Sequence, residues 1–175
     1  LIFPEFENLK RLERLIQICD NIQLNKDLLL SVLLIDEKNN HEYFSHKYNI
    51  SNDLKETLNL CAKNYKLISE DKDFLNKDLE KNIYYNGKKH LINLNIVYFV
   101  INSKYKLKDF LQNLKKILKS KTHFFPFDGN YLIDKGMKEG VTIGKVLKKL
   151  EEKWIRNNFK ISDNEIKSII KTHSN

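Results

Sequence analysis

Apolar residues recur at the spacing of an α-helix along almost the whole chain, and this periodicity limits the folds open to it. After Pro4 the i, i+3, i+4, i+7 pattern is followed by Leu9, Leu12, Leu15, Ile16 and Cys19. It predicts a helix over residues 5–19, with proline near its start. The same spacing predicts further helices within residues 24–33, 51–65, 75–83 and 107–118. The sequence therefore predicts an all-α protein with no significant sheet.

Residues 88–102 hold an apolar run that suits either a buried helix or a buried strand. Its apolar side chains occupy more than one face. Because the chain offers no second β-rich segment for a strand to pair with, we expect a central buried helix. Near the end of the chain, Ser162 and Glu165 have the spacing of a capping box, which predicts a last short helix.

Size and composition allow a hydrophobic core and a small number of subdomains. The chain has 175 residues, of which 41% are hydrophobic. The longest apolar stretch, Ile96 to Ile101, is far too short to span a bilayer, so no membrane contact is predicted.

Cys19 and Cys61 lie in amphipathic runs without a CxxC spacing, which indicates buried thiols in a reducing compartment. Because the chain begins at Leu1 without a leader, we expect a piece of a longer protein.

The positive charge is concentrated in the second part of the chain. Residues 1–103 carry 14 lysines and arginines against 15 acidic residues, whereas residues 104–175 carry 17 against 8. This distribution predicts two segments, a nearly neutral helical segment over 1–103 and a basic one over 104–175. A basic surface favours a polyanion as partner, bound mainly through phosphates. A solvated lysine face with no partner is the alternative.

Four of the five glycines lie between Phe124 and Leu150 and predict a specified backbone there. We expect a short helical turn after Gly129, breaks at Gly136 and Gly140, and a long helix from about Val141. The amide groups and positive dipole end of such a helix suit a phosphate. The alternative is that Gly140 and Gly144 let another helix pack closely. A Walker A loop is excluded, since only three residues separate these two glycines.

The order of residues in this segment resembles a family signature. It consists of Pro126, Gly129, Leu132, Gly136, Gly140, Ile143, Gly144, Leu147, Leu150 and Trp154. This order is similar to the C-terminal region of the CCA-adding tRNA nucleotidyltransferases and their poly(A) polymerase relatives. Outside this segment the chain matches the family only as helices of suitable length. Tyr131 occupies a position that is usually acidic in the family, and Asp128 lies nearby.

The resemblance implies a helical neck and body over residues 1–103 and a tail over 104–175 that hold a tRNA. The tRNA acceptor arm would be positioned so that CMP and AMP are added to its 3′ end. The residues expected to contact RNA are Gly129, Lys135, Gly136, Gly140, Gly144, Lys145, Lys148, Lys149, Lys153 and Arg156. The expected location is a bacterial cytoplasm or an organellar matrix.

No catalytic residue, metal ligand or cofactor site is predicted within the chain. Members of this family bind metal ions through a D-x-D pair after a glycine turn, but the D-x-D of this chain, Asp71-Lys72-Asp73, lies in a polar loop. His41 and His46 are five apart, one more than a helical metal pair needs. The resemblance therefore implies that Mg²⁺ and CTP or ATP bind a catalytic head N-terminal to this chain, which would be its protein partner.

Two other functions are compatible with these features. A poly(A) polymerase homologue is the first, because the shared region does not carry the choice of nucleotide. A helical protein-interaction module is the second, in which the lysines are only solvated and the glycine segment serves packing. Salt dependence separates these classes, since RNA binding weakens with added salt and an apolar helical interface does not.

Overall fold

The computed structural model describes residue 6, residues 8–71 and residues 73–173. Over these residues the chain forms ten α-helices and no strand, which confirms the predicted all-α fold. The helices are α1 Leu9–Ile16, α2 Lys26–Leu34, α3 Asn40–Tyr48, α4 Asn52–Glu70, α5 Leu79–Asn86, α6 Lys88–Ile101, α7 Leu107–Lys119, α8 Gly129–Asp134, α9 Val141–Arg156 and α10 Asp163–His173. A 3-10 turn, Cys19–Asn21, follows α1. None of the described helices is both long and apolar enough to cross a membrane.

The chain divides into two compact units, residues 1–121 and residues 122–175. The boundary at residues 103 and 104, which was drawn from charge, falls inside the first unit, between α6 and α7. The basic segment is therefore shared between the two units. Residues 104–121 hold seven lysines and one acidic residue, and residues 122–175 hold ten basic and seven acidic residues.

Helix α6 is the centre of the first unit and packs against α1, α2, α4, α5 and α7. Its buried side chains lie on every face, which is why its sequence shows an apolar run without a polar stripe. They are Leu91, Leu94, Asn95, Ile96, Val97, Tyr98, Phe99 and Val100. The prediction of a buried helix over residues 88–102 is confirmed.

Three cations of the first unit satisfy the carbonyl groups at helix ends, which have no partner within their own helix. Arg14 donates to the carbonyl oxygen of Phe99 in the last turn of α6 and to those of Asn102 and Tyr105 just beyond it, at 2.6 to 3.2 Å. Arg11 does the same for Val32 and Leu33 at the end of α2, at 2.8 and 3.0 Å. Lys88 Nζ lies 2.7 Å from the carbonyl oxygen of Ser120 at the end of α7.

A buried polar network joins α6 to α7. The Asn95 side chain donates to the carbonyl oxygen of Phe110 at 3.1 Å and accepts from the Tyr105 hydroxyl at 2.9 Å. The Asn113 side chain donates to the same hydroxyl oxygen at 2.6 Å. Burial raises the pKa of Tyr105 to about 12, so the hydroxyl stays protonated and continues to donate.

Two sequence predictions differ from the observed elements of the first unit, and one observed helix was not predicted. The helix predicted over residues 5–19 is α1, Leu9–Ile16, followed by the 3-10 turn, and residues 1–5 and 7 lie outside the described chain. Helix α5 begins at Leu79, while Leu75 lies buried in the preceding turn. Helix α3 has no counterpart in the predictions, because its buried face includes a histidine and a serine beside Phe44.

The second unit has its own apolar core, formed where α8 and α10 each contact α9. Its buried members are Leu132, Met137, Val146, Leu150 and Ile166. Trp154, which is 5% exposed, packs edge-on against Phe125 and Phe159, with ring centroids 5.6 and 4.9 Å away. The aromatic cluster extends the core at the carboxyl end of α9.

The two cysteines differ in burial. Cys61 is buried, and burial raises the pKa of its thiol to about 12, so it is protonated at neutral pH. Cys19 is only half-buried, which corrects the expectation that both thiols are buried. The difference arises because Cys19 lies in the 3-10 turn beyond α1, where the helical face toward the core has ended.

Candidate nucleic-acid interface

The glycine segment forms two helices joined by a tight turn. Helix α8 begins after Asp128, whose carboxylate accepts from the backbone N–H of Tyr131 at 2.9 Å. It ends in a Schellman arrangement, in which Gly136 N–H bonds to Ile133 O and Met137 N–H to Leu132 O. Asp128 therefore caps α8 by accepting from the N–H of Tyr131, the residue at the position that is usually acidic in the family.

At two of the four glycine positions the backbone conformation itself requires glycine. Gly136 has φ +91° and Gly140 has φ +144°, both in the region that side chains of L-residues rarely adopt. Gly140 also precedes α9, and no side chain caps that end. The predicted breaks at Gly136 and Gly140 and the predicted start of the long helix at Val141 agree with the observed elements.

Close helix packing does not explain Gly140 or Gly144. A methyl group placed on either glycine meets no heavy atom of the described chain within 4 Å. At Gly129 the same methyl group lies 3.6 Å from Ile143 Cγ2, an ordinary contact. The amino end of α9 is thus an uncrowded surface, where Val141 is 82% exposed.

The basic residues predicted on α9 do not have equal access to a partner. Lys145, Lys148, Lys149 and Arg156 are exposed. Lys153 is half-buried, and its Nζ lies 3.3 Å from Glu165 Oε1, so it joins α9 to α10 instead of facing solvent alone. Glu152 lies among the exposed cations, four residues from both Lys148 and Arg156. This acidic residue reduces the positive potential along the carboxyl half of the face.

Lys135 lies at the end of α8 and belongs to the same unit. Its Nζ is 5.5 Å from the ring centroid of Tyr131, within the range of a cation–π contact. The side chain is exposed and remains accessible to an anion. The structure therefore places all ten predicted RNA-contact residues in the second unit, on α8, α9 and the turn between them.

A second basic face, which the sequence-based site prediction omitted, lies on α7 in the first unit. Lys108, Lys115 and Lys119 recur at i, i+7 and i+11 and are exposed, which places them within about 40° of arc on the helix. Asp109 is the acidic residue of this helix. The sequence pattern that indicates this face is the amphipathic spacing of residues 107–118, which leaves lysines on the outer side of the predicted helix.

The lysine face of α7 borders an exposed apolar ridge. Leu107, Leu111 and Leu118 are 41%, 38% and 56% exposed and fall within about 40° of arc beside the lysines. The buried side of the same helix holds Phe110 and Ile117, which are fully buried. Helix α7 thus presents both an apolar and a cationic surface to solvent.

The two aspartates of the D-x-D sequence, Asp71 and Asp73, lie outside the helices, just after α4, as predicted. The Asp71 carboxylate accepts from the backbone N–H of Asp73 at 2.9 Å, and both aspartates are exposed, while Lys72 lies outside the described residues. Over the described part of the chain, no group of three His, Cys, Asp or Glu side chains has the geometry to hold a metal ion.

Comparisons with known proteins leave the chain without an assigned relative. No family model, curated protein or solved structure matches it.

Proposed function

We propose that this chain is an RNA-binding helical module and that its partner is a tRNA. The observation that carries the proposal is the pair of exposed lysine faces, one on α7 and one on α9. Each row of lysines lies along a helix and is interrupted by few carboxylates. Such rows attract the phosphate backbone and release its counterions when RNA binds.

The amino end of α9 supports the proposal independently of net charge. The turn at Gly140 leaves the first backbone N–H groups of α9 without a capping side chain. A helix of 16 residues also places its positive dipole end at this point. A phosphate oxygen has the charge and the acceptor capacity that these groups need.

The choice of tRNA rests on the resemblance of Pro126, Gly129, Gly136, Gly140, Gly144 and Trp154 to the C-terminal region of CCA-adding enzymes. In this proposal the chain is part of a tRNA nucleotidyltransferase and positions the acceptor arm, which makes the addition of CMP and AMP effectively intramolecular. The catalytic head, with Mg²⁺ and CTP or ATP, would lie N-terminal to this chain. A bacterial cytoplasm or an organellar matrix is the location that goes with this function.

Two alternatives remain as proposals. A poly(A) polymerase homologue would use the same lysine faces on a different RNA. A helical protein-interaction module is favoured by one observation, the exposed leucine ridge of α7. Buried in an interface, three leucines would contribute several kcal/mol through apolar area, at about 25 cal/mol per Å².

The affinity for a tRNA that lacks its CCA end tests these proposals when it is measured over a salt series. We expect tight binding at low salt and a linear fall of log K with log salt concentration. Lys145→Glu/Lys148→Glu and Lys108→Glu/Lys115→Glu should each weaken binding and reduce the salt slope by about 1 for each lysine that contacts a phosphate. A poly(A) oligonucleotide measured in parallel separates the two RNA partners.

A control pair makes the same change of charge elsewhere in the first unit. Lys26 and Lys55 are exposed on α2 and α4, outside both lysine faces. Lys26→Glu/Lys55→Glu should leave the salt slope unchanged. If the control pair weakens binding as much as the other two pairs, the lysines act only through net charge. Binding that is absent, or insensitive to salt, would contradict the RNA proposal and favour the protein-interaction module.

A further inference from the structure

A cavity of about 570 Å³ lies beside α7 in the first unit, and its size is within the range of small-molecule sites. The segment between α4 and α5, the end of α6, the loop after it and one side of α7 contribute residues to its wall. The wall includes four side-chain amides and two tyrosines: Asn76, Asn102, Gln112, Asn113, Tyr98 and Tyr105. The sequence did not indicate this site, because these residues come from segments separated along the chain.

The polar network that joins α6 to α7 fixes the orientation of the Asn113 amide. The carbonyl oxygen of Phe110 can only accept, so Asn95 turns its amide nitrogen to that oxygen and its amide oxygen to the Tyr105 hydroxyl. The hydrogen of the Tyr105 hydroxyl is then used, and Asn113 must donate to this hydroxyl through Nδ2. Asn113 Oδ1 is left as an acceptor without a donor among the described residues.

Two nearly buried side chains present polar atoms to the cavity. Asn113 and Tyr98 are 8% and 6% exposed, and both line its wall. In the described chain, the buried polar atom that has neither a partner nor contact with solvent is His41 Nδ1. Asn113 Oδ1 and the Tyr98 hydroxyl have no hydrogen-bond partner among the described residues, so both keep contact with solvent. The cavity therefore offers one oriented acceptor and one free hydroxyl.

The charges around the cavity balance. Asp73 and Asp109 contribute two exposed carboxylates, and Lys104 and Lys116 contribute two exposed ammonium groups. The remaining polar groups of the wall are neutral amides and hydroxyls, which provide both donors and acceptors. This lining suits a neutral ligand with hydrogen-bonding edges better than it suits an anion or a cation.

The cavity adjoins the lysine face of α7. Gln112, which lines the cavity, lies within about 60° of arc of each lysine of that face. The leucine ridge lies on the other side of the lysines. A strand whose phosphates contact the lysine face would therefore pass beside the cavity.

We propose that the cavity receives an unpaired nucleobase with an exocyclic amino group, from an RNA strand bound along the lysine face of α7. This inference rests on the proposed RNA binding and adds a base-selective site to it. The amino group donates to Asn113 Oδ1, and the Tyr98 hydroxyl serves a donor or an acceptor of the base. Uracil has a carbonyl oxygen where cytosine has its amino group, so it would place an acceptor against the Asn113 acceptor.

Binding of fluorescent heptamers of cytidine and of uridine to the whole chain, measured by anisotropy at constant ionic strength, tests this proposal. The two oligonucleotides have equal charge and equal ring size, and they differ at the edge of the base. We expect the cytidine heptamer to bind about fivefold more tightly, which is the effect of one hydrogen bond. Lys108→Glu/Lys115→Glu should weaken the binding of both heptamers equally, because it acts on phosphate contacts.

Two variants remove the polar atoms that face the cavity. Tyr98→Phe deletes a hydroxyl that has no partner in the described chain, so it should weaken the binding of both heptamers about threefold or more and leave the Tm unchanged. Tyr85→Phe, at a tyrosine that is 65% exposed and outside the cavity, is the matched control and should change neither affinity. Asn113→Leu should abolish the preference for cytidine. If that variant does not fold, Tyr98→Phe and its control decide the question.

The outcomes separate this proposal from RNA binding itself. Equal affinity for the two heptamers, or equal effects of Tyr98→Phe and Tyr85→Phe, would overturn the base site. So would a Tyr98→Phe variant with a lowered Tm, since its hydroxyl would then serve the fold. If Lys108→Glu/Lys115→Glu still weakens binding in these cases, the RNA proposal stands without the base site. A chain that binds neither the heptamers nor tRNA would contradict both proposals.

Discussion

At the scale of the residue, this chain uses several of its cations to complete its own structure. Arg11, Arg14 and Lys88 donate to carbonyl groups at helix ends, and Lys153 pairs with Glu165. A count of positive charges cannot distinguish these residues from lysines that face solvent. Fewer positively charged side chains are therefore available to a partner than the sequence suggested.

Glu165 provides a test of one such contact. Its carboxylate accepts from the backbone N–H and the hydroxyl of Ser162, both at 2.9 Å, and pairs with Lys153. The bond from the Ser162 N–H is the largest of the causes that lower the pKa of Glu165 to about 2 from its ordinary 4.5. Because the folded pKa is lower, the carboxylate stabilises the fold above about pH 4.5 and loses that effect as the pH falls towards 2.

We expect Glu165→Gln to lower the Tm of the second unit at pH 7, and the difference from the parent chain to shrink between about pH 4.5 and 2. Fluorescence of Trp154, the single tryptophan, reports the transition of this unit. Glu139→Gln, at an exposed glutamate of the same unit, should show no such pH-dependent difference. A difference for Glu165→Gln that stays constant with pH would contradict the role of its charge.

At the scale of the element, the glycines of the second unit have different physical roles. Gly136 and Gly140 hold backbone conformations that other residues adopt only with strain. Gly144 lies inside α9, where glycine is less favourable than alanine, and no described side chain needs its space. An unfavourable glycine on an uncrowded helix face fits a surface that another molecule approaches closely.

Substitution by alanine should separate these roles. We expect Gly140→Ala to reduce the free energy of unfolding by about 1 to 3 kcal/mol, because its φ of +144° is strained for alanine. Gly144→Ala should increase it by about 0.5 to 1 kcal/mol. Urea denaturation followed by Trp154 fluorescence measures both. If Gly144→Ala destabilises the chain, a neighbouring group must pack against that position.

At the scale of the whole molecule, each compact unit has a core of its own. Leu94 belongs to the first core and Leu150 to the second, and both are fully buried. Truncation of a buried leucine to alanine costs about 2 to 5 kcal/mol, through lost contacts and the cavity that is left. Such changes therefore test whether the two cores unfold separately.

We expect Leu150→Ala to lower the midpoint of the Trp154 fluorescence transition and Leu94→Ala to leave that midpoint unchanged. Leu94→Ala should lower the midpoint seen by far-UV circular dichroism, since seven of the ten described helices belong to the first unit. Leu118→Ala, at a leucine that is 56% exposed, is the control and should change neither by more than about 0.5 kcal/mol. Equal shifts in both signals for both core variants would show one cooperative transition.

The candidate site could be predicted only in part. The backbone features of the glycine segment and the lysines of α9 follow from local sequence, because glycine conformation and helical spacing are local properties. The pairing of Lys153 with Glu165 depends on how α10 packs on α9, which spacing does not reveal. Helix α3 was missed because His41 and Ser45 take core positions that a search for apolar residues passes over.

By itself the sequence determined the all-α class, the buried helix α6, the capping box at Ser162 and the breaks at Gly136 and Gly140. These features depend on periodicity and on residues within four positions of one another, so the local chain specifies them. Only the tertiary structure decided which cations cap helices, which lysines remain exposed, and that His41 of α3 lines the same cavity as residues of α4. Those relations join residues distant along the chain, and packing alone brings such residues together.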